Sequence, residues 1–438
     1  MHEEQKMIIL YGMTRWSAQI VKMGLISADY ICDKRAVILE GDLQLKLAGV
    51  PVINLEQLKN QCNNKKVIFY ICVGTNKKAV KGITSDIERS GIDADIIDIF
   101  ADKNNRLIKR ICQYRIESNS GWCGEGIEDD KYVVITNNEE YSRYQGLLSN
   151  IQAVIGYVYE ARIAGYNPLV DLRLGKETLS SFWSFQGNKD SNGWDCYFTQ
   201  PNSSDKLDDL YRKHRIRYVN KDYVSLFRLD WYDILPSEKE TYEFWSGIIK
   251  ENLHLRNEIF ARVENNRREL FGNEDVLGVA IRSEFRYGGE NGLELYNGHP
   301  IVGKVEEYIS GIEKRMHEWG YKKVFLMVDD REYHDRIKEY FGDAFVSLGR
   351  PLAHFFRDGK PVGEGLPLEG QNNDLMFKEL NEVSSVEKNE SYLMETYLLS
   401  VCDSLFCTPG SAQSLAYLLN DGKYRNIEVD YRGRYAIH

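Results

Sequence analysis

Three groups of residues in the C-terminal part of the chain are of the types that hold a diphosphate. The apolar run VLGVAIR ends in Arg282, KKVFLMV runs into Asp329-Asp330, and SLFC ends in Thr408-Pro409-Gly410-Ser411. A group that departs on a diphosphate leaves charge that, without a metal, must be met by a guanidinium fork or by N–H groups at a helix start. Arg282 supplies the first, and Gly410 and Ser411, at the approach to a helix, supply the second. The bland alternatives are a surface ion pair for Arg282 and a plain helix cap for Ser411. Asp329 and Asp330 likewise carry two readings. A carboxylate there can accept two parallel hydrogen bonds from a base edge with adjacent N–H donors, as guanine has, or it can cap the helix beginning near Arg331.

These positions matter because of the elements that present them. From VLGVAIR onward, strand-like and helix-like stretches alternate: a helix near 302–319, KKVFLMVDD, a helix near 332–341, AFVSL, an irregular Gly/Pro-rich stretch over 350–374, the helix SYLMETYLLSV, SLFCT, a helix from about Ser411, and NIEV. That alternation predicts a doubly wound α/β unit, in which ligands sit at the carboxyl ends of the strands. A middle unit is expected from KYVVITN, a helix near 147–164 and NPLVDLR. An N-terminal one is expected from MIILY, ADYICD, PVIN, KVIFYICVG and DADIIDIF. The expected division is a Rossmann-like domain over 1–104, a charged linker over 105–130, an acceptor-side α/β domain over 131–271 and a donor-binding α/β domain over 272–438, the last two facing a cleft.

Composition narrows the partners. A net charge of −10 is the opposite of the basic footprint that tracks a nucleic-acid backbone, so no nucleic-acid partner is expected. The run Arg212-Lys213-His214-Arg215 could meet a membrane surface peripherally or a diphosphate, although such runs are more often solvated faces. No stretch reaches the length of a membrane span and the start lacks a signal-peptide pattern, which predicts a cytoplasmic protein. The eight scattered cysteines form no C-x-x-C pair and read as reduced thiols, and the histidines show no ligand spacing, so no metal and no cofactor is expected.

The order of motifs resembles the donor-binding domain of α1,6-fucosyltransferases, the group of core and nodulation-factor fucosyltransferases within the superfamily that includes protein O-fucosyltransferases. The residues carrying it are Val279-Ala280-Ile281-Arg282, His299-Pro300-Ile301 with Glu306-Glu307-Tyr308-Ile309, and Val324-Phe325-Leu326-Met327-Val328-Asp329-Asp330. Leu398-Leu399-Ser400, Cys402-Asp403 and Phe406-Cys407-Thr408 with Ser411 continue it. In the middle unit Gly146-Leu147-Leu148, Pro168-Leu169-Val170-Asp171 and Gly193-Trp194-Asp195 fit as well. The resemblance implies a glycosyltransferase-B fold and metal-independent, inverting transfer from GDP-fucose to a glycan acceptor. It also implies Arg282 on the β-phosphate, Asp329 or Asp330 on guanine, Thr408, Gly410 and Ser411 near the phosphates, and Gly146 and Leu147 closing on the donor. Ala280 stands where the family often has histidine and Ser283 where a second arginine commonly follows, so the resemblance speaks more firmly for the diphosphate than for the sugar.

Inversion requires a carboxylate beside the acceptor hydroxyl, on the face opposite the diphosphate. Glu284, Glu290 and Glu294 are the candidates; the resemblance favours Glu294, which shortly precedes His299-Pro300. Asp171, Trp194 and His299 are the acceptor-side candidates, His299 alternatively fixing the backbone beside Pro300. In the N-terminal unit Asp33 follows Gly12 by 21 residues, roughly the separation used for ribose recognition, but the loop between holds one glycine before its bulky residues. The unit looks like the small Rossmann-type domains that precede sugar-modifying enzymes and is expected to bind, regulate or oligomerise. Two other functions stay open: an NAD-dependent sugar oxidoreductase working through this unit, and a non-catalytic nucleotide-sugar sensor.

Overall fold

The computed structural model describes residues 6–37, 45–62, 65–74, 77–101, 106–136, 147–172, 192–202, 207–219, 225–227, 239–283, 301, 303–354, 356–357, 360–361 and 378–433. The protein is α/β, with three parallel-rich sheets, and forms two compact units: Met1–Asn138 with Ala153–Asp171 and Pro201–Leu229, and Glu139–Gln152 with Leu172–Gln200 and Asp230–His438.

The first unit holds two sheets. One contains β1 (Met7–Tyr11), β2 (Tyr30–Cys32), β3 (Lys46–Leu47), β4 (Val50–Ile53), β5 (Val67–Ile71) and β6 (Ala94–Asp98) in the order β3-β4-β2-β1-β5-β6. Every pair in it is parallel except β3 with β4. Ile9, Phe69 and Ile71 on its central strands are fully buried, as two-faced parallel strands require. The other sheet contains β7 (Ser120–Cys123), β8 (Ile127–Thr136), β9 (Asn167–Asp171) and β10 (His214–Val219), ordered β7-β10-β8-β9 with β7 antiparallel at its edge.

The stretch expected to be an irregular linker is regular. Arg106–Ser118 is a helix whose Ile108, Ile111, Cys112 and Ile116 are buried, a spacing of three to four residues that was hidden in the sequence by interleaved lysine and arginine. Arg115 on this helix donates to Oε1 of Glu160 at 3.0 Å, and Glu160 Oε2 accepts from the Leu226 N–H at 2.9 Å. A fully buried carboxylate is thereby satisfied by a guanidinium and an amide. Trp16, Phe100 and Phe227 pack edge to face beside it, with centroids 4.6 to 6.3 Å apart.

The second unit is built on β11 (Val276–Ile281), β12 (Lys323–Val328) and β13 (Phe345–Val346), a hairpin of β14 (Phe356–Arg357) and β15 (Lys360–Pro361), and then β16 (Ser404–Cys407) and β17 (Ile427–Val429). The sheet order is β13-β12-β11-β16-β17, all parallel. All six residues of β11 are buried because both faces are covered. Leu277, Val279 and Ile281 meet Tyr308 and Ile312 of the helix Val305–Trp319 and Tyr333 and Ile337 of the helix Arg331–Phe341. The alternate residue Gly278 faces the helix Ser385–Ser400: a Cβ there would lie 2.9 Å from Leu399 Cδ1 and 3.0 Å from Cys402 Cβ. This glycine lets helix and strand approach closely. Helices on both faces and order reversal between β12 and β16 make the unit doubly wound, with a topological switch point where β11 lies beside β16.

Candidate functional site

At the switch point the ends of β11 and β16 interlock. Thr408 donates its N–H to the Ala280 carbonyl at 2.9 Å, and its Oγ1 accepts from the Arg282 N–H at 2.8 Å. Thr408 is buried and Arg282 is half-buried, so two of the residues picked out by sequence are brought together at the carboxyl edge of the sheet. The chain then passes through Pro409 and Gly410 into the helix Ser411–Asn420. Gly410 occupies the N-cap with extended backbone and supplies no side-chain cap. Ser411 opens the helix one residue later, with positive dipole character and N–H groups at its start. Ser283, following Arg282, is fully buried, and its Oγ makes no hydrogen bond among the described residues. It therefore adds a polar group to the same strand end as Arg282.

The two aspartates after β12 have separate structural partners. Asp330 is fully buried and caps the helix Arg331–Phe341, its Oδ1 accepting from the Tyr333 N–H at 3.1 Å. Asp329 accepts at Oδ1 from Arg350 Nη2 at 3.0 Å. Arg350 also donates to the Val328 carbonyl at 2.8 Å and to Glu395 Oε2 at 2.5 Å, with its guanidinium 5.1 Å from the centre of the Tyr392 ring. Burial pushes the Glu395 carboxyl up to about 7, against the pull of Arg350. Neither Arg350 nor Glu395 was singled out by sequence. An acid inside the apolar helix SYLMETYLLSV was the one signal, since such a residue is buried only with a partner.

The remaining positions fall elsewhere. Asp171 closes β9, where it is buried and accepts from the Tyr211 hydroxyl at 2.9 Å. Trp194 is fully buried, donates from Nε1 to the Thr199 carbonyl at 3.0 Å and lies against Phe198 with ring centres 4.6 Å apart, which places it in the core. Leu147 is buried at the start of the helix Leu147–Ala164. Gly146, Glu284, Glu290, Glu294 and His299 lie outside the described residues. The basic run is engaged locally, with Arg212 on Asp209, Arg215 on Glu128 and His214 beside Asp129.

The turn after β1 is already filled. Gly12 adopts φ +105°, a conformation that favours glycine. Asp33 Oδ2 accepts from the Met13 N–H at 2.6 Å, the Thr14 N–H meets Ser17 Oγ at 3.0 Å, and Thr14 caps the helix Arg15–Lys22 reciprocally with Ser17. The carboxylate spaced for a ribose therefore holds its own loop. Trp16, on the same turn, is packed against Phe100 and Phe227.

Among the described residues no group of three or more His, Cys, Asp or Glu side chains is placed to hold a metal ion, and no helix is long and apolar enough to cross a membrane. None of the eight cysteines is in a disulfide.

No family model and no curated protein matches the chain. Solved structures are similar to it. Fucosyltransferase NodZ from Bradyrhizobium is 15% identical, covering 66% of this chain and 93% of its own, with a TM-score of 0.36. POFUT1 in complex with GDP is 9% identical, covering 69% and 99%, with a TM-score of 0.36. A mutant of Arabidopsis thaliana FUT1 in complex with GDP is 13% identical, covering 74% of each, with a TM-score of 0.36.

Proposed function

We propose that the protein is an inverting glycosyltransferase that transfers a sugar, with fucose from GDP-fucose as the first choice, to a hydroxyl of a glycan or glycoconjugate without needing a metal. The observation that carries this reading is the interlocked end of β11 and β16. Arg282 is pinned through its backbone to Thr408, one short turn before a helix start with no side-chain cap, with the buried Ser283 hydroxyl alongside in sequence. A guanidinium and helix-start N–H groups at a switch point make an anion site that stabilises a departing diphosphate. In this reading Arg282 takes the β-phosphate, and Thr408, Gly410 and Ser411 border it.

The donor identity rests on the motif resemblance, and the general base is sought among Glu294, Glu284 and Glu290. The oxidoreductase alternative is disfavoured by the turn after β1, whose N–H groups and acid are engaged with each other. A thermal-shift series with GDP, UDP, CDP and dTDP tests the proposal. A ligand at a hundred times its Kd adds about 2.7 kcal/mol of stability. The expected result is the largest shift with GDP. A shift with UDP and none with GDP would overturn the donor identity, and no shift with any of the four would overturn nucleotide binding itself.

A further inference from the structure

A second constellation lies on the far side of β12 from the switch point. Ala353 forms an isolated parallel bridge with Asp330, donating its N–H to the Asp329 carbonyl at 3.0 Å and accepting from the Arg331 N–H at 2.8 Å. This extends the carboxyl edge of the sheet by one strand position and puts His354 next along it. His354 Nε2 lies 3.0 Å from Glu379 Oε1. Glu379 is gripped by Arg331 through Nε at 3.0 Å and through Nη2, and accepts from the Leu352 N–H at 3.3 Å. Burial opposes ionisation of Glu379, but the Arg331 fork and the Leu352 amide hold its carboxyl below the usual range. A carboxylate only accepts, so it fixes a proton on Nε2, and in that tautomer Nδ1 is the ring's acceptor.

The His354 side chain is 31% exposed, and no hydrogen bond engages Nδ1 among the described residues. Glu379 is already satisfied by a guanidinium and an amide and does not need the imidazole. The imidazole needs Glu379, because that bond sets its tautomer and orientation. Such an arrangement prepares a ring nitrogen to receive a hydrogen bond.

The placement says from what. With a diphosphate at the end of β11, the nucleoside of a dinucleotide-type sheet runs toward the second strand, here β12. The Ala353–His354 segment is one strand position further, about 10 Å from β11 at two strand spacings. Asp330 is buried as a cap and Asp329 faces Arg350, so a further acceptor for a base edge is called for at this place.

We propose that His354, held by Glu379 and Arg331, reads the nucleobase of the donor, its Nδ1 accepting a hydrogen bond from a base-edge N–H. This rests on the reading that a nucleoside diphosphate binds at Arg282 and Thr408. Calorimetric titration of GDP and of inorganic pyrophosphate into the full chain, its His354→Ala variant and its His354→Asn variant tests it, with unfolding midpoints measured alongside. Losing one hydrogen bond is expected to weaken GDP about 5- to 10-fold in His354→Ala. His354→Asn, which keeps an acceptor near the Nδ1 position, loses less, and pyrophosphate binds all three alike. Equal GDP affinity in wild type and His354→Ala overturns the inference while leaving the diphosphate site intact. Parallel losses for GDP and pyrophosphate also overturn it, because His354 then acts on the structure of the site. A wild type that binds neither ligand overturns the underlying reading as well.

Discussion

The turn after β1 and the turn after β16 are built from the same parts, a parallel strand, a glycine and a helix start, yet they differ in how the helix start is capped. After β1, Thr14 and Ser17 cap the helix, Asp33 takes the Met13 N–H and Trp16 is buried against phenylalanines. After β16, Gly410 caps nothing, the neighbouring strand ends in Arg282, and Ser283 keeps a buried hydroxyl without a partner among the described residues. A parallel sheet offers every strand end as a possible site. What distinguishes these two ends is how far their own side chains cap and fill the turn.

The comparison can be sharpened by breaking each end. The largest effect is expected not at either turn but at the end of β12 in the second unit, where Arg350 joins Asp329 to Glu395. Glu395→Ala takes from the buried Arg350 guanidinium one of its two carboxyl partners and should cost about 3–5 kcal/mol of stability in urea unfolding. Glu395→Gln tests the same carboxyl by pH. Its folded pKa is raised above the unfolded value by burial, so its contribution is fully present below the unfolded carboxylate range and is lost as pH rises through about 7. Stability measured against pH should therefore fall less steeply between about 4.5 and 7 in Glu395→Gln than in wild type; parallel curves would refute the assignment.

Next in size, Arg282→Ala should lower GDP affinity about 10- to 100-fold, the scale of a charge-assisted contact. Thr408→Val, which removes the acceptor for the Arg282 N–H, should cost about 1–3 kcal/mol of stability and weaken GDP less than Arg282→Ala does. Smallest at the ligand, Asp33→Ala should destabilise the first unit by about 1 kcal/mol, with no change in GDP binding.

The sequence showed some of this directly. VLGVAIR reads as a fully buried strand because six apolar or small residues in a row fit only a strand covered on both faces, and its terminal arginine marks the edge where ligands sit. The sequence put Arg282 and Thr408 at strand ends of one unit, but only the strand order, with β11 beside β16, pairs them. The roles of Asp329 and Asp330 could not be separated beforehand, since either can cap and either can bind; the backbone decides, giving the cap to Asp330. Arg350 and His354 were hidden in a Gly/Pro-rich stretch with no periodicity, where only tertiary contacts with Glu395 and Glu379 give them meaning. The helix Arg106–Ser118 was masked by its charges, although its isoleucines keep helical spacing.

The central claim, that the strand ends at Arg282 and Thr408 bind a nucleoside diphosphate whereas the turn at Gly12 does not, is tested most directly by titrating GDP into wild type, Arg282→Ala and Asp33→Ala side by side. The account predicts binding to wild type and Asp33→Ala with equal affinity and a loss of at least about 10-fold in Arg282→Ala. Undiminished binding to Arg282→Ala, or a loss confined to Asp33→Ala, would contradict it.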